Sequence, residues 1–158
     1  MSVEAYRLVR TGRAEGAFSG EGSRLFGGRW NPKGIAVVYC SQHLSLCVLE
    51  FRVNQDRLHP QDGYVFFRVL VPEHRVESLP PESAPQGWDR RDLPSGRPAP
   101  AQRFGERWAQ EARSAVLEVP SAVLPQERNY VLNPQHRDFG QLQVERALPI
   151  RLDERLWR

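Results

Sequence analysis

Lysine is almost missing from this chain: Lys33 is the only one, and the other 21 of its 22 basic residues are arginine. Arginine carries a fixed planar charge suited to bidentate capture of phosphate or carboxylate. The arginines are scattered, with no run and no stripe. The basic patch that a nucleic-acid binder concentrates on one element is therefore absent, and no direct nucleic-acid contact is expected. A net charge of +3 leaves a mildly basic surface able to receive an acidic partner. Cysteine is also scarce. Cys40 and Cys47 have no CxxC spacing, and His43, His59, His74 and His136 form no HExxH pair, so no metal site is read. No apolar run approaches the ~20 residues of a membrane span. Residues 1–10 carry charge throughout and lack the apolar block of a signal peptide, so the expected location is cytoplasmic. With 158 residues and no break in composition, one domain over 1–158 is expected. That length buries roughly 70% of the unfolded surface, enough for a core without metal or disulfide.

Along the chain, residues 4–10 alternate and read as a first strand. Residues 11–34 hold seven glycines and no apolar period, which reads as a long loop, of a length that is usually either functional or disordered. Ile35 to Cys40 is a short β-branched run, the pattern of a strand buried on both faces. Ser41 is a plausible N-cap for a helix over 43–54. On that helix Leu44, Cys47, Val48 and Phe51 form one stripe, and Leu46, Leu49 and Val53 cover much of the other side, so the helix is expected to be buried all round. Tyr64 to Val71 is a strong strand, and Arg75 to Leu79 a short one. Pro72 to Pro100 holds seven of the thirteen prolines and reads as an extended surface loop anchored by Trp88. A helix is expected over 101–113, from Phe104, Trp108 and Ala112. A strand follows at 114–119, and another strand or a turn at 129–133. Residues 141–152 alternate, with Leu142, Val144, Leu148, Ile150 and Leu152 on one face, a surface that two copies could share. Strands predominate over two segregated helices, so the class is α+β, with a mixed β-core.

The residues that carry chemistry lie between 27 and 50 and again near 121–129. Gly27-Gly28-Arg29-Trp30-Asn31-Pro32-Lys33-Gly34 sets a guanidinium beside two glycines that let a backbone approach a ligand closely. It is not a Walker loop, since GxxxxGK[ST] is missing. Arg29 reads either as a clamp for a pyrophosphate or as an exposed arginine beside a turn. Tyr39 ends the buried strand, either as an aromatic platform for a planar base or as a core tyrosine with a satisfied hydroxyl. Glu50 falls among apolar helix positions, where a carboxylate is either paired with an arginine or serving chemistry. Ser121 has no visible base and is not read as a nucleophile. Asn129 and Asn133 either shape the same rim or serve turns. Tyr6, Arg7 and Arg24 are weaker candidates for a pocket wall.

Taken with Val37-Val38-Tyr39-Cys40-Ser41, Leu46-Cys47-Val48-Leu49-Glu50, Val119-Pro120-Ser121 and Asn129-Tyr130-Val131-Leu132-Asn133-Pro134, the glycine-rich motif resembles the RES-domain family, toxins of bacterial toxin–antitoxin pairs. The family's arginine, tyrosine, glutamate and serine correspond to Arg29, Tyr39, Glu50 and Ser121. The resemblance implies a fold similar to ADP-ribosylating toxins. It also implies NAD as the substrate with no further cofactor, and an Xre-type helix-turn-helix antitoxin as partner in an oligomeric complex.

On this reading Arg29, Tyr39, Glu50 and Ser121 form the catalytic set, and Gly28, Arg29, Tyr39 and Asn129 contact the substrate. Breaking the nicotinamide–ribose bond builds positive charge on the sugar, as in glycoside cleavage. A carboxylate such as Glu50 stabilises that state more than the ground state. The expected activity is degradation of NAD by water or phosphate. The alternatives are ADP-ribosyl transfer to a protein, such as a nucleotide-biosynthesis enzyme, and a catalytically silent binding module.

Overall fold

A computed structural model describes residues 1–54, 63–90 and 97–157. Its centre is a hairpin-like pair of long strands. β1 (Ser2–Arg10) runs antiparallel to β3 (Tyr64–Pro72) over their full length, from Ser2 opposite Pro72 to Arg10 opposite Tyr64. β2 (Val38–Ser41) meets β1 at a single residue pair, Tyr6 with Ser41. Beyond β2 the sheet continues through β6 (Arg128–Leu132) and β5 (Val116–Pro120) to β4 (Val76–Ser78). Two short strands, β7 (Gln143–Val144) and β8 (Leu148–Ile150), share the outer edge of β3. All pairings are antiparallel except that of β4 with β5. The sheet is mixed and helices are few, an α+β architecture.

The period-2 alternation of the central strands divides the core. Val38, Cys40, Val116, Tyr130 and Leu132 enter one apolar cluster, with Ala5, Val69 and Val71. Leu117, Val119 and Val131 enter another, with Trp30, Trp108 and the half-buried Tyr39. Residues buried on both faces of β2 match the run at 35–40, but the strand starts later, at Val38. The reason is local. Asn31 captures the Ile35 carbonyl and Ser23 Oγ accepts the Val37 N–H, so neither group is free for a ladder.

The segment read as one long loop, 11–34, contains a helix, α1 (Glu21–Phe26). Gly20 (φ 75°) and Gly27 (φ 73°) bound it in left-handed geometry, and these glycines masked it in the sequence. Helix α2 (Leu44–Asn54) follows β2 as expected, and packs Cys47, Leu44, Val48 and Phe51 onto Leu8 and Tyr64. Its opposite side is buried only in part: Leu46 is fully buried, but Leu49 is 43% and Val53 52% exposed. The helix lies against one sheet face only, and an apolar surface does not by itself supply a second layer. Helix α3 (Pro100–Gln110) ends before Ala112, which takes φ 49° and cannot extend it. Within the proline-rich stretch, Trp88 stacks on Trp30 with ring centroids 6.1 Å apart, and residues 91–96 lie outside the described residues. The alternating stretch 141–152 is broken where Glu145 turns to pair with Arg68. Leu142 enters the core while Val144 and Leu148 stay exposed, so the five apolar residues do not share one face. Among the described residues no helix is long and apolar enough to cross a membrane.

Both thiols are buried free cysteines, and burial pushes each up to about 12. Neither should react with a thiol reagent at pH 8 in the native protein, whereas both should titrate in denaturant. A thiol that reacts rapidly under native conditions would contradict this packing.

Candidate active site

The glycine-rich segment is built around Asn31, which is fully buried. Its Nδ2 donates to the carbonyls of Ser23 (2.8 Å), Ile35 (2.9 Å) and Pro32 (3.3 Å), and its Oδ1 accepts the Tyr39 hydroxyl (2.6 Å). The same hydroxyl accepts the N–H of Trp30 at 3.0 Å. Tyr39 therefore fixes the backbone next to Arg29. Burial raises its pKa, with the Arg29 charge opposing in part. Gly28 is required by contact: a Cβ there would lie 2.7 Å from the Tyr39 hydroxyl. Helix α3 holds the segment from the far side. Gln102 Nε2 donates to the Gly28 carbonyl at 3.0 Å, and its Oε1 accepts the Ala99 N–H at 2.9 Å. A Cβ on Gly105 would come 1.7 Å from the Trp30 carbonyl oxygen.

Arg29 is half-buried, and its Nη1 donates to the carbonyls of Trp88 (3.0 Å) and Arg90 (3.3 Å). No carboxylate among the described residues pairs with it. Its charge is positioned by neutral acceptors.

Glu50, on α2, is held in the same manner by neutral donors. Its Oε1 accepts the Ser121 hydroxyl at 2.7 Å and Asn129 Nδ2 at 2.6 Å. Ser121 follows β5 directly and is fully buried; its Oγ accepts the N–H groups of Val123 (3.1 Å) and Leu124 (3.0 Å). With both acceptor positions filled, its one proton goes to Glu50. Asn129 lies on β6 opposite Ser41 of β2 and Val119 of β5, and its Oδ1 accepts the Ser41 hydroxyl at 2.8 Å. No arginine or lysine pairs with Glu50 among the described residues.

These two groups meet along β2. Tyr39 and Ser41 are two residues apart on one face, about 6.5–7 Å along the strand. One end supports Arg29, the other supports Glu50. Of the residues singled out in the sequence, Glu50, Ser121 and Asn129 come together directly, and Gly28, Tyr39 and the backbone beside Arg29 form the second group. The weaker candidates fall elsewhere. Tyr6 donates to Glu4, and Arg24 forms an exposed ion pair with Glu21. Asn133 is consumed by its turn, accepting the Gln135 N–H. Arg7 donates to the carbonyls of Ala17 (2.7 Å) and Tyr39 (3.0 Å), bridging β1 to β2 where the ladder between them is down to one pair; burial lowers its pKa. Three contributors were not assigned to the site from sequence: Asn31, Ser41 and Gln102. Ser41 carried a signal, since it shares the strand face of Tyr39. Gln102 carried none.

A model of the RES domain matches residues 4–153. The chain belongs to the RES domain family. Among its relatives, "Toxin Res" of Photorhabdus laumondii is 32% identical over 155 residues, covering 96% of this chain and 95% of that protein. The "Prs ADP-ribosylating toxin" of Sphingobium sp. is 33% identical over 165 residues, covering 100% and 99%. Among solved structures, the M. tuberculosis MbcT–MbcA toxin–antitoxin complex shares the fold, with a TM-score of 0.75 at 23% identity, over 95% of this chain and 85% of the matched one. The α+β architecture is thus that of the ADP-ribosyltransferase-like RES fold.

Two substitutions test the support of the Arg29 segment. Tyr39→Phe strands the Trp30 N–H and Asn31 Oδ1, and should lower stability by about 1–3 kcal/mol in urea unfolding. An unchanged midpoint would show that the hydroxyl does not hold the loop. Gly105→Ala drives a methyl group into the Trp30 carbonyl and should lower stability by about 1–3 kcal/mol or more. A melting temperature equal to that of the parent would refute that close approach.

Proposed function

We propose that this RES protein is the toxin of a toxin–antitoxin pair and cleaves NAD at the nicotinamide–ribose bond. The observation that carries the reading is the state of Glu50. Its carboxylate is oriented by a hydroxyl and an amide, and among the described residues no cation pairs with it. A buried glutamate kept for structure is commonly paired with an arginine. One oriented by neutral donors on Oε1 has Oε2 to offer a ligand.

In the proposed reaction the C1′–N bond breaks, and its electron pair passes to the pyridinium nitrogen, releasing neutral nicotinamide. Positive charge grows on the ribose as the bond lengthens, and the Glu50 carboxylate stabilises it. Water then adds at C1′ and loses a proton, giving ADP-ribose; phosphate in place of water gives the 1′-phosphate ester. Arg29, which pairs with no carboxylate among the described residues, is suited to the pyrophosphate. Tyr39 supports Arg29 through its hydroxyl, which holds the Trp30 N–H and Asn31. Ser121 and Asn129 act on Glu50. An antitoxin of the helix-turn-helix type would cover this site, a reading in line with the toxin–antitoxin complex that shares the fold.

A second reading, transfer of ADP-ribose to a protein, has one specific observation in its favour: the Sphingobium relative named an ADP-ribosylating toxin spans the full chain. Both readings share the bond-breaking step. Incubation with NAD, with and without phosphate, should release nicotinamide, with ADP-ribose or its phosphate identified by mass spectrometry. A labelled band from labelled NAD and lysate, with no free ADP-ribose, would select transfer. Glu50→Gln keeps an acceptor at the Oε1 position but removes the charge. It should leave the melting temperature near that of the parent and lower turnover by about 10²–10³. Turnover unchanged in this variant would remove Glu50 from the chemistry.

A further inference from the structure

We propose that Ser41 is a positioning residue of this site, acting on Glu50 through Asn129. The inference rests on the reading of Glu50 above and extends it to a side chain that touches neither Glu50 nor, on that reading, NAD. Ser41 is 3% exposed at the end of β2. Its hydroxyl lies 2.8 Å from Asn129 Oδ1, and Asn129 Nδ2 lies 2.6 Å from Glu50 Oε1.

The direction of this chain of hydrogen bonds is fixed from the Glu50 end. An amide has one accepting and one donating end, and a carboxylate only accepts. Two oxygens 2.6 Å apart would repel, so Glu50 requires the NH2 of Asn129 to face it. The carbonyl end of Asn129 then points at Ser41 and needs a donor. The thiol of Cys47, which also lies within hydrogen-bonding reach of Ser41, is not that donor, because it donates to the Tyr6 carbonyl at 3.4 Å. Ser41 supplies the proton. The backbone makes the contact possible: Ser41 and Asn129 are directly opposite in the β2–β6 ladder, so their side chains lie on one face at the spacing of a cross-strand pair.

Without the Ser41 hydroxyl, the Asn129 amide is held at one end only and can swing about its Cβ–Cγ bond. Glu50 Oε1 would keep Ser121, but a carboxylate with one firm hydrogen bond can rotate about it. Oε2 would then lose its fixed direction. The effect belongs to the bond-breaking step and not to NAD affinity, because Arg29 and its supports lie at the other end of β2.

The test is a double-mutant cycle of Ser41→Ala and Asn129→Ala, with kcat and KM for NAD measured separately. Ser41→Ala should lower kcat about tenfold and change KM by less than about twofold. In the Asn129→Ala background it should add less than about twofold, since the relay is already cut. A kcat for Ser41→Ala within about twofold of the parent, an effect on KM alone, or full additivity with Asn129→Ala would overturn the proposal. A second measurement needs no turnover. The side-chain NH2 resonances of Asn129, assigned by their loss in Asn129→Ala, should shift or broaden in Ser41→Ala, and unchanged resonances would overturn the relay. If the parent released no nicotinamide, the NAD reading would fall while this NMR experiment still decided whether Ser41 holds Asn129.

Discussion

The candidate site depends on two opposite charges that the fold keeps apart and, among the described residues, leaves without an ionic partner. Arg29 is held by backbone carbonyls, and Glu50 by a hydroxyl and an amide. Had the two met, the ion pair would have been structural, and neither group would have had charge left for a ligand. Neutral partners orient without cancelling. A dinucleotide with an anionic pyrophosphate and a ribose that becomes cationic has the complementary distribution, which is why the proposed reaction follows from how these two side chains are held.

The separation is set by β2. This short strand places Tyr39 and Ser41 on the same face. Tyr39 ties down the segment that carries Arg29, and Ser41 faces the asparagine that orients Glu50. The strand is itself fixed by its full ladder with β6 and, on the other side, by one residue pair with β1 plus the Arg7 guanidinium. Three supports from outside the strand complete the arrangement: Asn31 beneath the glycine-rich turn, Gln102 from α3, and Ser121 at the end of β5. Each is buried or half-buried and each satisfies backbone or side-chain groups that water cannot reach, so a change in any of them is felt at the site.

Most of the elements were legible in the sequence because their apolar periods are strong. The strands at 64–71 and 129–133 and the helix after Ser41 follow the pattern closely. The misreadings have local causes. The glycines at 20 and 27 that delimit α1 also hide it, since glycine marks turns and helix ends alike. The breadth of the apolar surface on α2 suggested burial, yet Leu49 and Val53 face outward because no described element packs over them. The alternation over 141–152 broke at Glu145, whose ion pair with Arg68 is a contact between residues far apart in the chain.

The sequence by itself determined the residue types at the site, their order and the family that shares them, because local motifs such as the glycine-arginine turn and the serine after Pro120 are written in consecutive residues. Which side chain serves which was decided only by the tertiary structure. The Tyr39 hydroxyl reaches Asn31, Ser121 and Asn129 converge on one oxygen of Glu50, and Ser41 lies across from Asn129 through a ladder joining residues 88 positions apart. Hydrogen-bond direction and cross-strand register are properties of chain segments brought together by folding, and no spacing along one segment encodes them.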